Sequence, residues 1–221
     1  MESSSSSERA RRIFVAGSTG ATGRTLLPIA ASLQVDVVPH LRPASARGRE
    51  LPEQAAVLDL SDAEALDAAL SGCTTVIQLI GTMRKRFANG DTYESSDIGT
   101  TLSLVESARR CGVDHLVLLS SVGAGKPMGA YLEAKAKAES IVTGSGIDWT
   151  VFRPSSFVGA GHRAPPGMGA MTRIFGLKRF EPIAIEQLAA SILHVAMTGT
   201  GRGEVLEGAS LWRMVEEASA S

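Results

Sequence analysis

The chain has 221 residues and a mass of 23.1 kDa, the size of one domain. Hydrophobic residues at 44% and charged residues at 20% provide for a sizeable core and exclude wholesale disorder. A formal net charge of −1 excludes a nucleic-acid binder held by net charge. The longest apolar runs, such as 76–80 and 116–119, are strand-sized and far short of the ~20 residues of a membrane helix.

Residues 1–10 are Ser-rich and carry no apolar stretch. They read as a disordered tail rather than a leader, which makes the cytoplasm the expected location. Residues 13–16 form a first short strand that ends in glycines. Residues 22–33 read as a helix and 35–41 as a second, extended strand that Pro43 stops. A third strand is expected at 55–58, then a helix at 62–70 with Ser61 as its N-cap. Residues 75–80 are a fourth strand. Residues 97–111 are a helix closed by Gly112, and 115–120 a fifth strand. An Ala-rich, charged helix spans 130–143 before Gly144, and 148–152 is a sixth strand. Residues 159–177, rich in Gly, Pro and Met, read as a lid-like loop. Residues 185–197 form a strongly amphipathic helix, 204–206 a seventh strand, and 213–221 a tail.

Strands that are apolar on both faces and separated by helices indicate a parallel sheet covered on both sides. The expected fold class is therefore α/β: a Rossmann-like doubly wound sheet over residues 11–212, with a small C-terminal substrate or lid region. Cys73 and Cys111 stand 38 positions apart with no CxxC or Cys/His spacing. Reduced thiols, with neither a disulfide nor a metal site, are expected.

The first strand runs into Gly17, Ser18, Thr19, Gly20, Ala21, Thr22, Gly23 and Arg24. The GxxGxxG spacing matters because it falls between the first strand and first helix, where such a fold binds pyrophosphate. Glycine permits the tight turn, and the helix N-terminus offers N–H groups and the positive end of a dipole. The second strand ends in His40-Leu41-Arg42, with Arg42 19 residues after Gly23. NAD-specific sites carry an acidic residue at that strand end, whereas an arginine suits a 2′-phosphate. NADP is therefore preferred over NAD, with Arg24 as a second contact. Asp59 and Leu60 end the third strand, beside the adenine. Ile80, Gly81 and Thr82 end the fourth, beside the ribose. Ser120 and Ser121 end the fifth. Pro154 and Phe157 follow the sixth, near the nicotinamide.

The chain has two tyrosines and five lysines, and Tyr131 and Lys135 stand four apart in one predicted helix. They share a helix face. A neighbouring ammonium favours the phenolate and makes Tyr131 a candidate acid or base for carbonyl reduction. Lys135 also reaches the cofactor ribose. Ser121 is the candidate donor to the substrate carbonyl, with Ser120 as its rival. The alternative reading of the helix is a solvated face, since Lys135 and Lys137 lie beside Glu133 and Glu139.

Together, Gly17, Gly20, Gly23, Arg42, Asp59-Leu60, Ser120-Ser121, Tyr131-xxx-Lys135 and Arg153-Pro154-Ser155 resemble the atypical short-chain dehydrogenase/reductases. The resemblance runs from about residue 11 to residue 212. Two groups are similar: the Tat-interacting-protein-like NADPH-binding oxidoreductases, and the group like the nucleotide-binding accessory subunit of respiratory complex I. The resemblance implies NAD(P)(H) binding and hydride transfer to or from a small carbonyl compound. The Asn-Ala-Gly of more usual members is Leu79-Ile80-Gly81 here, and Asp97 sits near the place where extended members carry an Asn. The alternative is a non-catalytic NADP(H)-binding redox-sensing, regulatory or assembly protein, with residues 84–87 or the lid facing a protein partner. An epimerase of nucleotide sugars is disfavoured by the small C-terminal part. The expected state is a monomer or a homodimer, with a small-molecule substrate and no nucleic acid.

Overall fold

The computed structural model describes residues 11–81, 92–159 and 178–220. The expected lid falls mostly on 160–177, and Thr82 and the basic triplet 84–86 on 82–91, outside the described residues; so does the N-terminal tail.

The strands are β1 (Arg12–Ala16), β2 (Asp36–Leu41), β3 (Ala56–Val57), β4 (Thr75–Gln78), β5 (His115–Leu119), β6 (Asp148–Phe152), β7 (Phe157–Val158), β8 (Ile183–Ala184) and β9 (Glu204–Leu206). The helices are α1 (Ala21–Ser32), α2 (Pro43–Ala46), α3 (Ala63–Leu70), α4 (Thr100–Cys111), α5 (Ala130–Thr143), α6 (Ile185–Thr198) and α7 (Ala209–Ala220). Seven strands form one parallel sheet in the order β3-β2-β1-β4-β5-β6-β9. This is the Rossmann-like doubly wound arrangement read from the sequence. The order reverses at β1, whose neighbours are β2 and β4, and ligands of such sheets bind outside the carboxyl ends at that reversal.

The residues of β1 show why both faces are covered. Ile13 and Val15 point into one buried cluster, which α1, α6 and α7 complete. Phe14 and Ala16 point into the other, closed by α3, α4 and α5. A strand's period of two demands this division, and Ile13 to Ala16 are all apolar because neither side meets water there, while Arg12 at the strand's start is partly exposed.

Four details depart from the sequence reading. The cap of α3 is Asp62, whose side chain accepts from the Ala65 N–H, rather than Ser61. The segment before α4 starts earlier than expected and is π-helical over Glu94–Gly99. A second, two-stranded sheet pairs β7 with β8. The chain end is no tail: α7 buries Leu211, Met214 and Val215 against the core, at the i, i+3, i+4 spacing of an amphipathic helix.

Candidate cofactor and active site

The turn after β1 is built by two close approaches. Gly17 has φ +92°, and a Cβ there would stand 3.0 Å from the backbone of Leu79 and Ile80. A Cβ on Gly23 would come within 2.5 Å of the Gly17 carbonyl oxygen and 2.6 Å of the Ser18 Cα. The loop is tightened by the Gly20 N–H donating to Gly17 O at 3.0 Å. No side chain caps α1, so its first-turn N–H groups face the sheet edge without the usual side-chain acceptor. This glycine cradle at an uncapped helix end fits a dinucleotide's pyrophosphate. Thr19, Gly20 and Ala21 are half-buried, Thr22 is buried and Arg24 exposed. Ser18 points inward: its hydroxyl donates to His40 O at 2.5 Å, tying the loop to the end of β2.

His40 is buried, stacks on Phe14 with ring centroids 5.8 Å apart, and has Nε2 3.1 Å from Leu58 O. Burial, above all, lowers its pKa. Arg42, exposed, closes β2. Asp59 is exposed after β3, and its carboxylate accepts from the Ser61 N–H at 3.0 Å and the Ser61 hydroxyl at 2.8 Å. Those two bonds, the backbone one first, hold it below the usual carboxylate range. Leu60 is buried beneath it.

Across the reversal, Leu79 N–H donates to Ala16 O at 2.9 Å, so the β4 end adjoins the glycine turn. Ile80 is half-buried and Gly81 exposed. A Cβ on Gly81 would stand 2.9 Å from Lys135 Nζ, which places that ammonium at the β4 end. Lys135 is not on a solvated face. It is buried, 2.8 Å from Asp97 Oδ1 and 3.4 Å from Leu119 O, with side-chain exposures of 5% and 1% for Lys135 and Asp97. Tyr131, one turn earlier, is partly exposed, and its ring lies 5.8 Å from that of Tyr93 at 59°. The two tyrosines of the chain thus stand together beside the buried lysine.

The β5 and β6 ends are stitched together: Ser120 N–H donates to Phe152 O at 2.7 Å and Val122 N–H to Pro154 O at 2.9 Å. The serines differ. Ser120 is buried and its hydroxyl donates to the Glu139 carboxylate. Ser121 is half-buried, and its hydroxyl makes a single long contact of 3.4 Å to Val122 O. Pro154 is buried and Phe157 half-buried at the start of β7. The turn, the β4 end, Lys135, the β5 end and the β6 end therefore follow one another along the carboxyl edge of the sheet.

Sequence reasoning missed the charges behind this edge. Arg153 binds Glu139 through Nε at 2.9 Å and Nη2 at 2.5 Å, and Glu207 through Nη1 at 3.2 Å. Arg179 pairs with the other Glu207 oxygen. The available signal was spacing: Glu139 lies four residues after Lys135, on the face of Tyr131. Among the described residues no helix is long and apolar enough to cross a membrane.

A family model described as NAD(P)H-binding matches residues 17–193. The chain is similar to Protein FMP52, mitochondrial, of Debaryomyces hansenii, 27% identical over 150 residues, which are 66% of this chain and 66% of that protein. It is similar to Protein HTATIP2 of Rattus norvegicus, 24% identical over 222 residues, 94% of this chain and 90% of that protein. The chain thus spans just under two thirds of FMP52 and most of HTATIP2. A solved structure, a putative NAD-dependent epimerase/dehydratase from Bacillus halodurans, superposes with a TM-score of 0.71 at 20% identity, covering 94% of this chain and 99% of that one; this likeness concerns the fold. The family match covers 177 positions, from the glycine turn into α6. The chain belongs to the NAD(P)H-binding family.

Proposed function

We propose that the protein is an NADP(H)-dependent oxidoreductase of the atypical short-chain type, which moves hydride between the cofactor and a small carbonyl compound. The observation that carries this reading is the buried Lys135 ammonium between Gly81 and Leu119 O, one helical turn from the Tyr131 phenol. The glycine turn and the N-terminus of α1 hold the pyrophosphate, Arg42 and Arg24 the 2′-phosphate, Asp59 and Leu60 the adenine side. Lys135 holds the ribose next to the nicotinamide, and Pro154 and Phe157 border the ring. The bound cofactor supplies or accepts the hydride at the nicotinamide. Tyr131 gives its hydroxyl proton to the carbonyl oxygen in reduction, and takes one in oxidation. Ser121, whose hydroxyl has only a long contact among the described residues, donates to the same oxygen and orients it.

One observation favours a second reading, a binding protein without turnover: the Lys135 charge is already matched by Asp97. Side-by-side fluorescence titrations with NADPH and NADH, on the wild type and Arg42→Ala, test the cofactor. The expected result is preference for NADPH, reduced at least about tenfold in the variant, as loss of a charge-assisted contact requires. Binding of neither nucleotide overturns both readings. A carbonyl screen that finds turnover in the wild type and none in Tyr131→Phe, at equal NADPH affinity, separates the enzyme from the binding protein.

A further inference from the structure

Tyr131, Lys135 and Glu139 are spaced i, i+4, i+8 on α5, one face of one helix. The first two belong to the reading proposed above. Glu139 lies about 12 Å along the axis from Tyr131, too far back to touch the reacting atoms. Its side chain is 8% exposed. The carboxylate accepts from the Ser120 hydroxyl and from Nε and Nη2 of Arg153. With three donors, two of them the prongs of one guanidinium, it is satisfied without solvent.

The partners of Glu139 are the two strand ends that build the nicotinamide half of the site. Ser120 precedes Ser121. Arg153 precedes Pro154, and its own N–H donates to Leu206 O at 2.9 Å. The loop that follows Ser121 rests on the same guanidinium, because a Cβ on Gly125 would stand 2.7 Å from Arg153 Nη1. Glu207 holds the remaining side of Arg153, and Arg179 holds Glu207. The alternating charges Glu139, Arg153, Glu207 and Arg179 thus join α5, the β6 end, the residue after β9 and the turn at Lys178–Phe180. None of these groups reaches the adenine side, which the bonds of Ser18, His40 and Asp59 arrange separately.

We infer that Glu139 is a positioning residue: by binding Ser120 and Arg153 together it sets the β5 and β6 ends against the helix of Tyr131 and Lys135, and so shapes the nicotinamide half of the pocket. It also divides the two serines. Ser120 is turned to Glu139, and Ser121 alone is left to face a carbonyl. The inference rests on the cofactor reading above, and it adds a residue that the glycine turn and the Tyr-Lys spacing do not reveal.

The test is a split between the two halves of the cofactor. Glu139→Gln removes the charge while keeping the shape. It is titrated with NADPH and with adenosine 2′,5′-bisphosphate, which lacks the nicotinamide half (ADP replaces it if the wild type prefers NADH). The expected result is bisphosphate affinity within twofold of wild type and NADPH affinity reduced about tenfold, with the emission change of bound NADPH diminished. Glu139→Asp keeps the charge but shortens the reach; NADPH affinity between those of wild type and Glu139→Gln is expected. Unchanged NADPH binding in Glu139→Gln overturns the inference. So does equal weakening for both probes, which marks a merely structural role. If neither variant folds, by circular dichroism and the bisphosphate titration, the carboxylate is a folding element and the inference is again overturned. A wild type that binds no NADPH or NADH defeats the cofactor reading instead.

Discussion

Lys135 Nζ stands 2.8 Å from Asp97 Oδ1, and both side chains are shut away from solvent. A buried pair of this kind is held together more by the cost of breaking it than by its own attraction, since an orphaned charge in the interior is expensive. Asp97→Ala is therefore expected to lower stability by about 3–5 kcal/mol. Asp97→Leu combined with Lys135→Met removes both charges and is expected to recover most of that loss. Urea denaturation of the single and double variants checks this. NADPH affinity should stay low in the double variant, because the ribose contact goes with the ammonium. A double variant no more stable than Asp97→Ala would show that the site does not depend on the pairing of charge.

The glycine turn makes a ranked prediction. A methyl on Gly23 meets backbone at 2.5 Å, while a methyl on Gly20 meets only the Gly17 carbonyl oxygen, at 3.2 Å. Gly20 has φ −71° and ψ 173°, which any residue adopts. Gly23→Ala is expected to cost about 1–3 kcal/mol, as overpacking does, and to abolish NADPH binding by displacing the turn. Gly20→Ala is expected to fold normally and to bind more weakly by a smaller factor. Thermal melts with and without NADPH read both effects. The reverse order would mean that the turn opens to admit the cofactor.

Acid stability should report on a histidine at the amino end of β5, away from the candidate site. His115 is 1% exposed, and its Nε2 lies 2.9 Å from Thr150 Oγ1. The Thr150 hydroxyl donates to Gly201 O at 2.8 Å, so the imidazole must supply the proton for the first bond. Burial, with Arg202 next, lowers the His115 pKa from 6.5 to about 4. The unfolded chain therefore binds a proton at a higher pH than the folded one. The contribution is fully present above pH 6.5 and is lost as pH falls from 6.5 towards 4, amounting to about 3 kcal/mol. His40, also lowered by burial, acts in the same direction. Asp59 and Asp67, both held below the carboxylate value of 3.8, act only at lower pH. His115→Gln should flatten denaturant midpoints between pH 6.5 and 4; an unchanged slope would assign the acid sensitivity elsewhere.

The parallel, doubly wound sheet and the glycine turn after β1 were legible because one physical rule governs each. Strands buried on both faces must be largely apolar, and a turn packed on the backbone of Leu79 and Ile80, just past β4, must be glycine. Other features had no such rule behind them. The π-helical stretch Glu94–Gly99 is polar and has no periodic signature, yet it carries Asp97 to Lys135. The charges of α5 alternate as they would in water; Glu139 differs from the exposed Glu133 only through Ser120 and Arg153, both distant in sequence. Strands β7 and β8, two residues each, are too short to pattern. The helix α7 was missed although its stripe of Leu211, Met214 and Val215 was there to read; the sequence reading makes residues 213–221 a tail.

The two serines and the tyrosine give the decisive kinetic comparison. Ser121→Ala removes a donor that has no strong partner among the described residues, so little stability should be lost. If that donor polarises a carbonyl, kcat should fall by about 10²–10³. Ser120→Ala deletes a bond to a buried carboxylate, and about 1–3 kcal/mol of stability should go, while turnover of the folded fraction changes by no more than a few-fold. Tyr131→Phe keeps the ring against Tyr93 and removes only the hydroxyl, so NADPH affinity should hold while turnover falls by about 10²–10⁴. The three variants are measured on the carbonyl that the wild type turns over best. Activity that survives in Tyr131→Phe and Ser121→Ala but fails in Ser120→Ala would assign the proton and the donor to other groups. It would then leave Lys135 and Tyr131 as cofactor-binding residues alone.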